Sequence, residues 1–144
     1  MALIFEAKVA LFEAVRALTP AGVQITFAET GSADRRRSIW FGSTVDDDMQ
    51  AVAMKDGPRK PTTVTGYVEV HAYVISPGDP IAAERAVYEL RDVIVAACPN
   101  VDRRAVKGLI DLRPESAVVD TGETTDGTLS GLTMRVRVRG RVTQ

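Results

Sequence analysis

Apolar residues near the amino end of the chain recur with the period of an α-helix. From Leu3 to Leu18 they share one stripe, with acidic and basic side chains outside it, which predicts an amphipathic helix. The stripe contains Ile4, Leu11, Val15 and Leu18. Residues 19–22 include a proline and a glycine, and both residue types end helices. We therefore expect the first helix to end at Leu18.

Two short alternating segments follow this helix. Val23–Phe27 and Ser38–Phe41 each predict a strand, and the polar stretch between them predicts a hairpin with a wide, charged loop. The loop contains three consecutive arginines, Arg35, Arg36 and Arg37. Arginines in loops are mostly solvated, and contact with a partner is the alternative for this cluster.

The segment 43–61 has no clean helical or strand period. A structureless stretch of this length is unusual in a compact domain and is typically functional or mobile. We expect a mobile loop that contacts a partner, with a short strand or turn at 50–54 as the alternative for its centre. The candidate contact residues are Asp46, Asp47, Asp48, Lys55, Arg59 and Lys60.

Thr62–Ile75 is the clearest strand in the sequence. From 63 to 74 its even positions are small or apolar, and its odd positions are polar or aromatic. At about 3.3 Å per residue it spans about 45 Å, which is long for a domain of this size and typical of a strand that reaches a neighbour. Asp79 as N-cap and Pro80 at the first helical position then predict a second helix that runs to about Ala97.

The last third of the chain predicts two further strands. The first covers 106–112, with 118–119 as its continuation. Residues 120–127 predict a polar turn that ends on Asp-Gly, a strong hairpin signal. The final strand covers 132–142. Together with the two helices, these strands indicate one α+β domain over residues 1–144.

The final strand alternates between apolar and basic side chains. A period of two buries its apolar set and places four arginines on the opposite face. The apolar set is Leu132, Met134, Val136, Val138 and Val142, and the arginines, hereafter the arginine ladder, are Arg135, Arg137, Arg139 and Arg141. Three interpretations remain. The ladder is a solvated face with cross-strand carboxylates such as Glu69, a subunit interface of bidentate arginine–carboxylate pairs, or a surface facing nucleic-acid phosphates.

Charge and cysteine content narrow the possible environments. The formal net charge is −1 and the pI is about 5.8, so no global field attracts the chain to nucleic acid or membrane. Cys98, the single cysteine, follows an apolar run and is expected to be a buried, inert thiol. The first residues lack the order of a signal peptide, and no apolar run has the length of a membrane span. We expect a soluble protein made in the cytoplasm.

The sequence patterns of common catalytic and cofactor sites are missing. One histidine and one cysteine exclude metal cages that need several of each, and residues 46–48 lack the ligand spacing of an EF-hand. No glycine pair has dinucleotide-binding spacing, and there is neither a P-loop nor a nucleophile elbow. His71 lies in mid-strand and is expected on the sheet surface rather than as a catalytic base. We predict no enzyme activity, cofactor or metal.

Several segments carry a resemblance to a known family. They are the strand residues 62–74, the turn Pro77-Gly78-Asp79-Pro80, the helix Ala82–Ala97, and an alternating final strand after Asp126-Gly127. In these segments and in the order of its elements, nearly the whole chain resembles the tail-terminator, or tail-completion, family of minor tail proteins in long-tailed bacteriophages.

The resemblance implies a mixed, mainly antiparallel sheet with two helices packed on one face. It also implies a homo-oligomeric ring, commonly a hexamer, that sits on the tail tube, ends tube growth and joins the tail to the head connector. The implied partners are the chain itself, the tail tube protein, a connector or neck protein, and DNA in transit through non-specific contact. No membrane is involved, and the implied location is the virion after synthesis in the host cytoplasm.

Other interpretations fit the same residues. One is a different neck or head–tail connector protein, because such proteins share this organisation. Another is a stand-alone oligomeric α+β domain that binds a small ligand or a host protein. The third is an enzyme with a site built from scattered carboxylates. The family supplies no catalytic or ligand residues to transfer, so a role of the long strand and the 43–61 loop in ring or tube contacts is a hypothesis.

Overall fold

The computed structural model describes residues 2–29, 36–46 and 62–142. Its helices are α1 (Leu3–Leu18) and α2 (Pro80–Ala97), and its strands are β1 (Gln24–Thr26), β2 (Arg37–Asp46), β3 (Thr62–Ser76), β4 (Leu109–Thr124) and β5 (Gly127–Val142). The strands form one sheet in the order β1-β2-β3-β5-β4. β1 and β2 are parallel, and the other neighbours are antiparallel. The expected α+β class, with a mixed and mainly antiparallel sheet and two helices against it, is confirmed.

Both helices begin and end as their sequences predict. The buried residues of α1 form one stripe that faces the sheet, although Leu18 at its end is 40% exposed. At the start of α2 the Asp79 carboxylate accepts a hydrogen bond of 3.1 Å from the Ala82 amide, and Pro80 occupies the first turn. The core contains these helix stripes, Ile39 and Phe41 of β2, and the even positions of β3 and β5.

Two glycines let the first turn of α1 lie close to the sheet. A Cβ atom at Gly66 would be 2.8 Å from Cδ1 of Ile4, and one at Gly140 would be 2.5 Å from Cδ1 of Leu3. Larger residues would push the helix away, so the missing side chains in β3 and β5 set the position of α1.

The predicted hairpin between the first two strands is wrong. β1 runs parallel to β2, with Gln24 opposite Ser38 and Thr26 opposite Trp40. Alternation reports which face a side chain occupies but not the direction of its strand, so the sequence pattern could not distinguish the two arrangements. Arg35, in the predicted loop, lies outside the described residues.

β2 extends further than predicted, so the loop expected over 43–61 is wrong for its first four residues. Residues 43–46 continue the strand after an irregularity between Phe41 and Thr44, which shifts the register against β3. This bulge interrupts the alternation and hides the strand in the sequence. The other candidates of the loop, Asp47, Asp48, Lys55, Arg59 and Lys60, lie outside the part of the chain that the structure describes.

β4 and β5 form one long hairpin in which each strand has 16 residues. The polar turn expected over 120–127 is wrong in extent, because β4 continues to Thr124 and pairs there with Gly127. The predicted hairpin is confirmed, with only residues 125–126 in the turn. β4 also passes through Pro114, which an edge strand tolerates because one side of its backbone needs no partner.

Candidate functional site: the open face of the sheet

The face of the sheet opposite the helices carries the arginine ladder. We call it the open face, because no helix in the described ranges packs against it. β5 contributes the ladder, β3 contributes Tyr67, Glu69, His71 and Tyr73, β2 contributes Trp40, and β4 contributes Asp111 and Arg113. The sequence therefore predicted the face of the arginines correctly, and the strand register adds their neighbours.

Arg139 is neutralised within the chain. Its Nε and Nη2 donate to the two carboxylate oxygens of Asp111, directly opposite on β4, at 3.2 and 2.7 Å. Arg113 Nε approaches the same carboxylate at 3.6 Å, and the Asp111 side chain is only 13% exposed. The hydrogen bond from Arg139 lowers the pKa of Asp111, with smaller contributions from the charges of Arg139, Arg113 and Arg137. This bidentate pair was not anticipated, because it depends on the register of β4.

The other ladder arginines have different surroundings. The guanidinium carbon of Arg135 lies 3.6 Å from the ring centroid of Tyr67, which is a close cation–π contact. Nε of Arg137 is buried without a hydrogen-bond partner in the described ranges. Arg141 is exposed near the end of β5. Within those ranges, these three arginines have no ion pair. Arg113 has one, its contact with Asp111.

Aromatic side chains cover the opposite end of the open face. The rings of Trp40 and His71 stack at 5.3 Å with an interplanar angle of 16°, and Tyr73 packs edge-on against Trp40 at 5.6 Å. Nδ1 of His71 is 3.2 Å from the Thr133 hydroxyl, so the expected sheet-surface location of this histidine is confirmed.

Glu69 does not take the role suggested for it. It lies opposite Arg135 in the register, yet its carboxylate approaches Nε2 of His71 at 3.4 Å while Arg135 stacks on Tyr67. Asp111 on the other neighbouring strand is the carboxylate that binds the ladder. Arg139 is therefore paired with a cross-strand carboxylate, as the solvated-face interpretation requires. The other three ladder arginines have no such pair in the described ranges.

The second unusual surface is the long edge strand β4. Almost all of its residues from Arg113 to Thr124 are exposed, including Val118 at 59%. We call residues 120–126 the acidic tip, because this segment contains three carboxylates, Asp120, Glu123 and Asp126, and no basic residue. Glu84 of α2 lies beside it and accepts a hydrogen bond of 3.0 Å from the Thr121 hydroxyl.

A groove separates β4 from α2 beside this edge. It has a volume of about 510 Å³ and includes Tyr88, Val95, Ala117 and Met134 in its lining. Tyr88 is 44% exposed, which is high for an aromatic residue. Within the described ranges, this edge of the sheet thus offers both a strand with one unpaired side and an apolar surface.

The remaining candidates lie apart from the ladder. Arg37 is opposite Val74, and the Arg36 carbonyl accepts a hydrogen bond of 2.8 Å from the Ile75 amide. Along β3, Val74 is about 17 Å from Glu69, which is the residue opposite Arg135. Arg37, opposite Val74, therefore lies far from the ladder. Asp46 ends β2 opposite Gly66.

Cys98 is buried as predicted, at 5% exposure. Burial raises the pKa of its thiol to about 11, and Sγ donates to the Ile94 carbonyl at 3.5 Å. The sulfur is therefore a neutral thiol at physiological pH.

No helix of the described ranges is long and apolar enough to cross a bilayer.

Asp111→Asn is expected to destabilise the fold at pH 7 and to have a smaller effect at pH 2. The folded state lowers the pKa of Asp111, so its contribution is fully present above the unfolded pKa of about 3.9 and is lost as the pH falls through the folded value. Urea unfolding of both proteins at the two pH values measures this difference.

Asp120→Asn is the control on the same strand, because Asp120 has no ion pair in the described part of the chain. Its effect should stay within about 0.5 kcal/mol at both pH values. An Asp111→Asn difference that persists unchanged at pH 2 would show that the carboxylate charge is not the cause.

No protein-family model matches the chain, and a search of the curated proteins finds no match.

Proposed function

We propose that this protein is a virion structural protein of the tail-terminator type. Its copies form a ring, commonly of six subunits in the family that it resembles. The ring caps the tail tube, ends tube growth and joins the tail to the head connector. Its partners are other copies, the tail tube protein and a connector or neck protein.

The observation that carries the proposal is the long β4–β5 hairpin. It gives one subunit two separate surfaces, an exposed edge on β4 and an arginine-bearing face on β5. An exposed edge strand presents unpaired backbone N–H and C=O groups, which are a hazard in a free monomer and a contact surface in an assembly. Two different surfaces on each copy suit the head-to-tail contacts from which rings are built.

The fold is a second source of support. The resemblance implies a mixed sheet with two helices on one face, and this chain has that arrangement. The helices cover one face, so the open face, the β4 edge and the groove beside α2 remain for contacts with neighbours, the tube or the DNA in transit.

Native mass spectrometry of the purified chain across a concentration range tests the assembly step. We expect discrete rings of about six copies, visible as annular particles by electron microscopy. A chain that stays monomeric at high concentration contradicts the proposal.

A second measurement tests the place in the virion. Tubes of the tail tube protein from the same virus are grown with and without this chain, and we expect shorter tubes with a ring at one end when it is present. Rings that leave tube length unchanged would support another neck or connector role instead.

A further inference from the structure

We infer that the acidic tip of one copy docks on the arginine ladder of the next copy. This inference rests on the proposed function, because it identifies the subunit contact of the assembly. It commits to a second copy of this chain as the occupant of the open face.

Opposite charges are separated along the hairpin. Among the residues that the structure describes, the ladder end of the open face combines five arginines, Arg113 and the ladder, with two carboxylates, Glu69 and Asp111, which leaves three positive charges. The acidic tip carries three negative charges and no positive one. The net charge of −1 gives no attraction between whole copies, so any attraction must come from these local surfaces.

The two surfaces cannot neutralise each other within one chain. Asp120 is opposite Gly131 and Glu123 is opposite Thr128, whereas the ladder begins at Arg135. Along an extended strand these separations are about 13 and 23 Å, well beyond the reach of an ion pair. Because a paired sheet is rigid, the tip can bind a ladder only on another copy.

The ladder has the chemistry to receive carboxylates. Arg139 and Asp111 already form a bidentate pair on this face. Arg135 is held in place by Tyr67, and Arg137 has a buried Nε without a partner in the described ranges. Incoming carboxylates would therefore meet partly ordered guanidinium groups, which reduces the entropy lost on binding.

The spacing of charges favours a second copy over nucleic acid. Glu69 on β3 and Asp111 on β4 flank the ladder and would repel a continuous phosphate backbone. The carboxylates of the tip, in contrast, are discrete, with Asp120 on the open-face side of β4 and Glu123 on the helix side, and can approach the guanidinium groups one at a time. A contact between two different patches is heterologous, and such contacts build a ring when the rotation between copies closes.

The test uses two charge-reversed full-length variants. Arg135→Glu with Arg137→Glu reverses the face, and Asp120→Lys with Glu123→Lys reverses the tip. Each variant alone should need at least about 30-fold higher concentration to assemble, because like charges then meet at the contact. Mixing the two should restore assembly, since every contact again joins opposite charges. Mass photometry of the single variants and of the equimolar mixture measures this.

Matched controls separate the contact from general charge effects and from misfolding. Arg36→Glu with Arg37→Glu makes the same charge change outside both surfaces and should leave assembly unchanged. Circular dichroism checks that each variant folds, and the milder pair Arg135→Gln with Arg137→Gln should weaken assembly without adding negative charge. Raising NaCl from 0.05 to 0.5 M should weaken wild-type association.

Four results would overturn the inference. Face and tip variants that assemble like wild type would place the subunit contact elsewhere while leaving the ring proposal intact. Folded variants whose mixture stays dissociated would show that the two surfaces do not meet. Binding of a labelled DNA oligonucleotide that the face variant loses while its rings persist would assign the face to nucleic acid. A monomeric wild type would remove the proposed function as well.

Discussion

Gly108→Ala is expected to lower the free energy of unfolding by about 2–5 kcal/mol. Gly108 has φ of 88°, and this left-handed conformation costs an alanine about 1–2 kcal/mol. An added Cβ would also collide with the backbone carbonyl oxygen of Arg141, and such overpacking typically costs about 1–3 kcal/mol. The collision involves backbone on both sides, because the Gly108 carbonyl accepts a 2.7 Å hydrogen bond from the Arg141 amide. Urea unfolding followed by Trp40 fluorescence measures the loss.

Two other glycines separate conformational strain from collision. Gly22 has φ of 90° with open space around its Cβ position, so Gly22→Ala should cost only the strain, about 1–2 kcal/mol. Gly122 has neither a left-handed φ nor a neighbour within 4 Å, so Gly122→Ala should be close to neutral. Equal costs at Gly108 and Gly22 would show that the backbone near Arg141 moves aside freely.

Phe41→Ala is expected to cost about 3–5 kcal/mol, the usual range for removing a buried phenylalanine. Phe41 is 2% exposed and joins three parts of the fold. Its ring packs edge-on against Phe12 of α1 at 5.6 Å and stacks on Phe27, just after β1, at 6.3 Å. The truncation would leave a cavity that separates α1 from the sheet.

Phe5→Ala is the matched control for this cavity. Phe5 touches the same cluster through Phe27, at 6.4 Å, but is 49% exposed. Less apolar surface is lost there and water fills the space, so the expected cost is about 1 kcal/mol or less. Similar losses for the two variants in chemical denaturation would argue that the cluster around Phe41 is loosely packed.

Elements with a strong hydrophobic period were predictable from the sequence. α1 and β3 each present a single apolar face to the core, and Asp79 with Pro80 marks the start of α2, so their bounds agree with the structure to within one residue. In these elements the local pattern and the tertiary packing require the same residues.

The sequence did not predict the start of β5 or the continuous course of β4, and each difference has a physical cause. Thr128 and Ser130 are buried at positions where alternation calls for apolar side chains, so the start of β5 resembled a turn. The hydroxyl groups of Ser130 and Thr121 are 2.9 Å apart, which makes a hydroxyl acceptable there. Pro114 interrupted the pattern of β4, although an edge strand can accommodate proline.

The candidate site was predictable only in part, and the reason is strand register. The period of two placed the arginine ladder on one face. Pairing Arg139 with Asp111 depends on the irregularity in β4 between Pro114 and Ser116, which shifts the register that the hairpin turn sets. Bulges of this kind leave no clear signal in a single sequence, so the partner of each arginine required the structure.

The distribution of charge on β4 also protects the chain against aggregation. The opposite edge strand, β1, has only three residues, so β4 is the longer place for a foreign strand to add. Two copies of β4 placed side by side, parallel and in register, would bring Glu115, Asp120 and Glu123 of one chain beside the same residues of the other, and like charges on neighbouring strands repel. Pro114 removes a backbone donor from the same edge. Newly made copies at high concentration are thereby kept from joining through their sheets into an open-ended fibre.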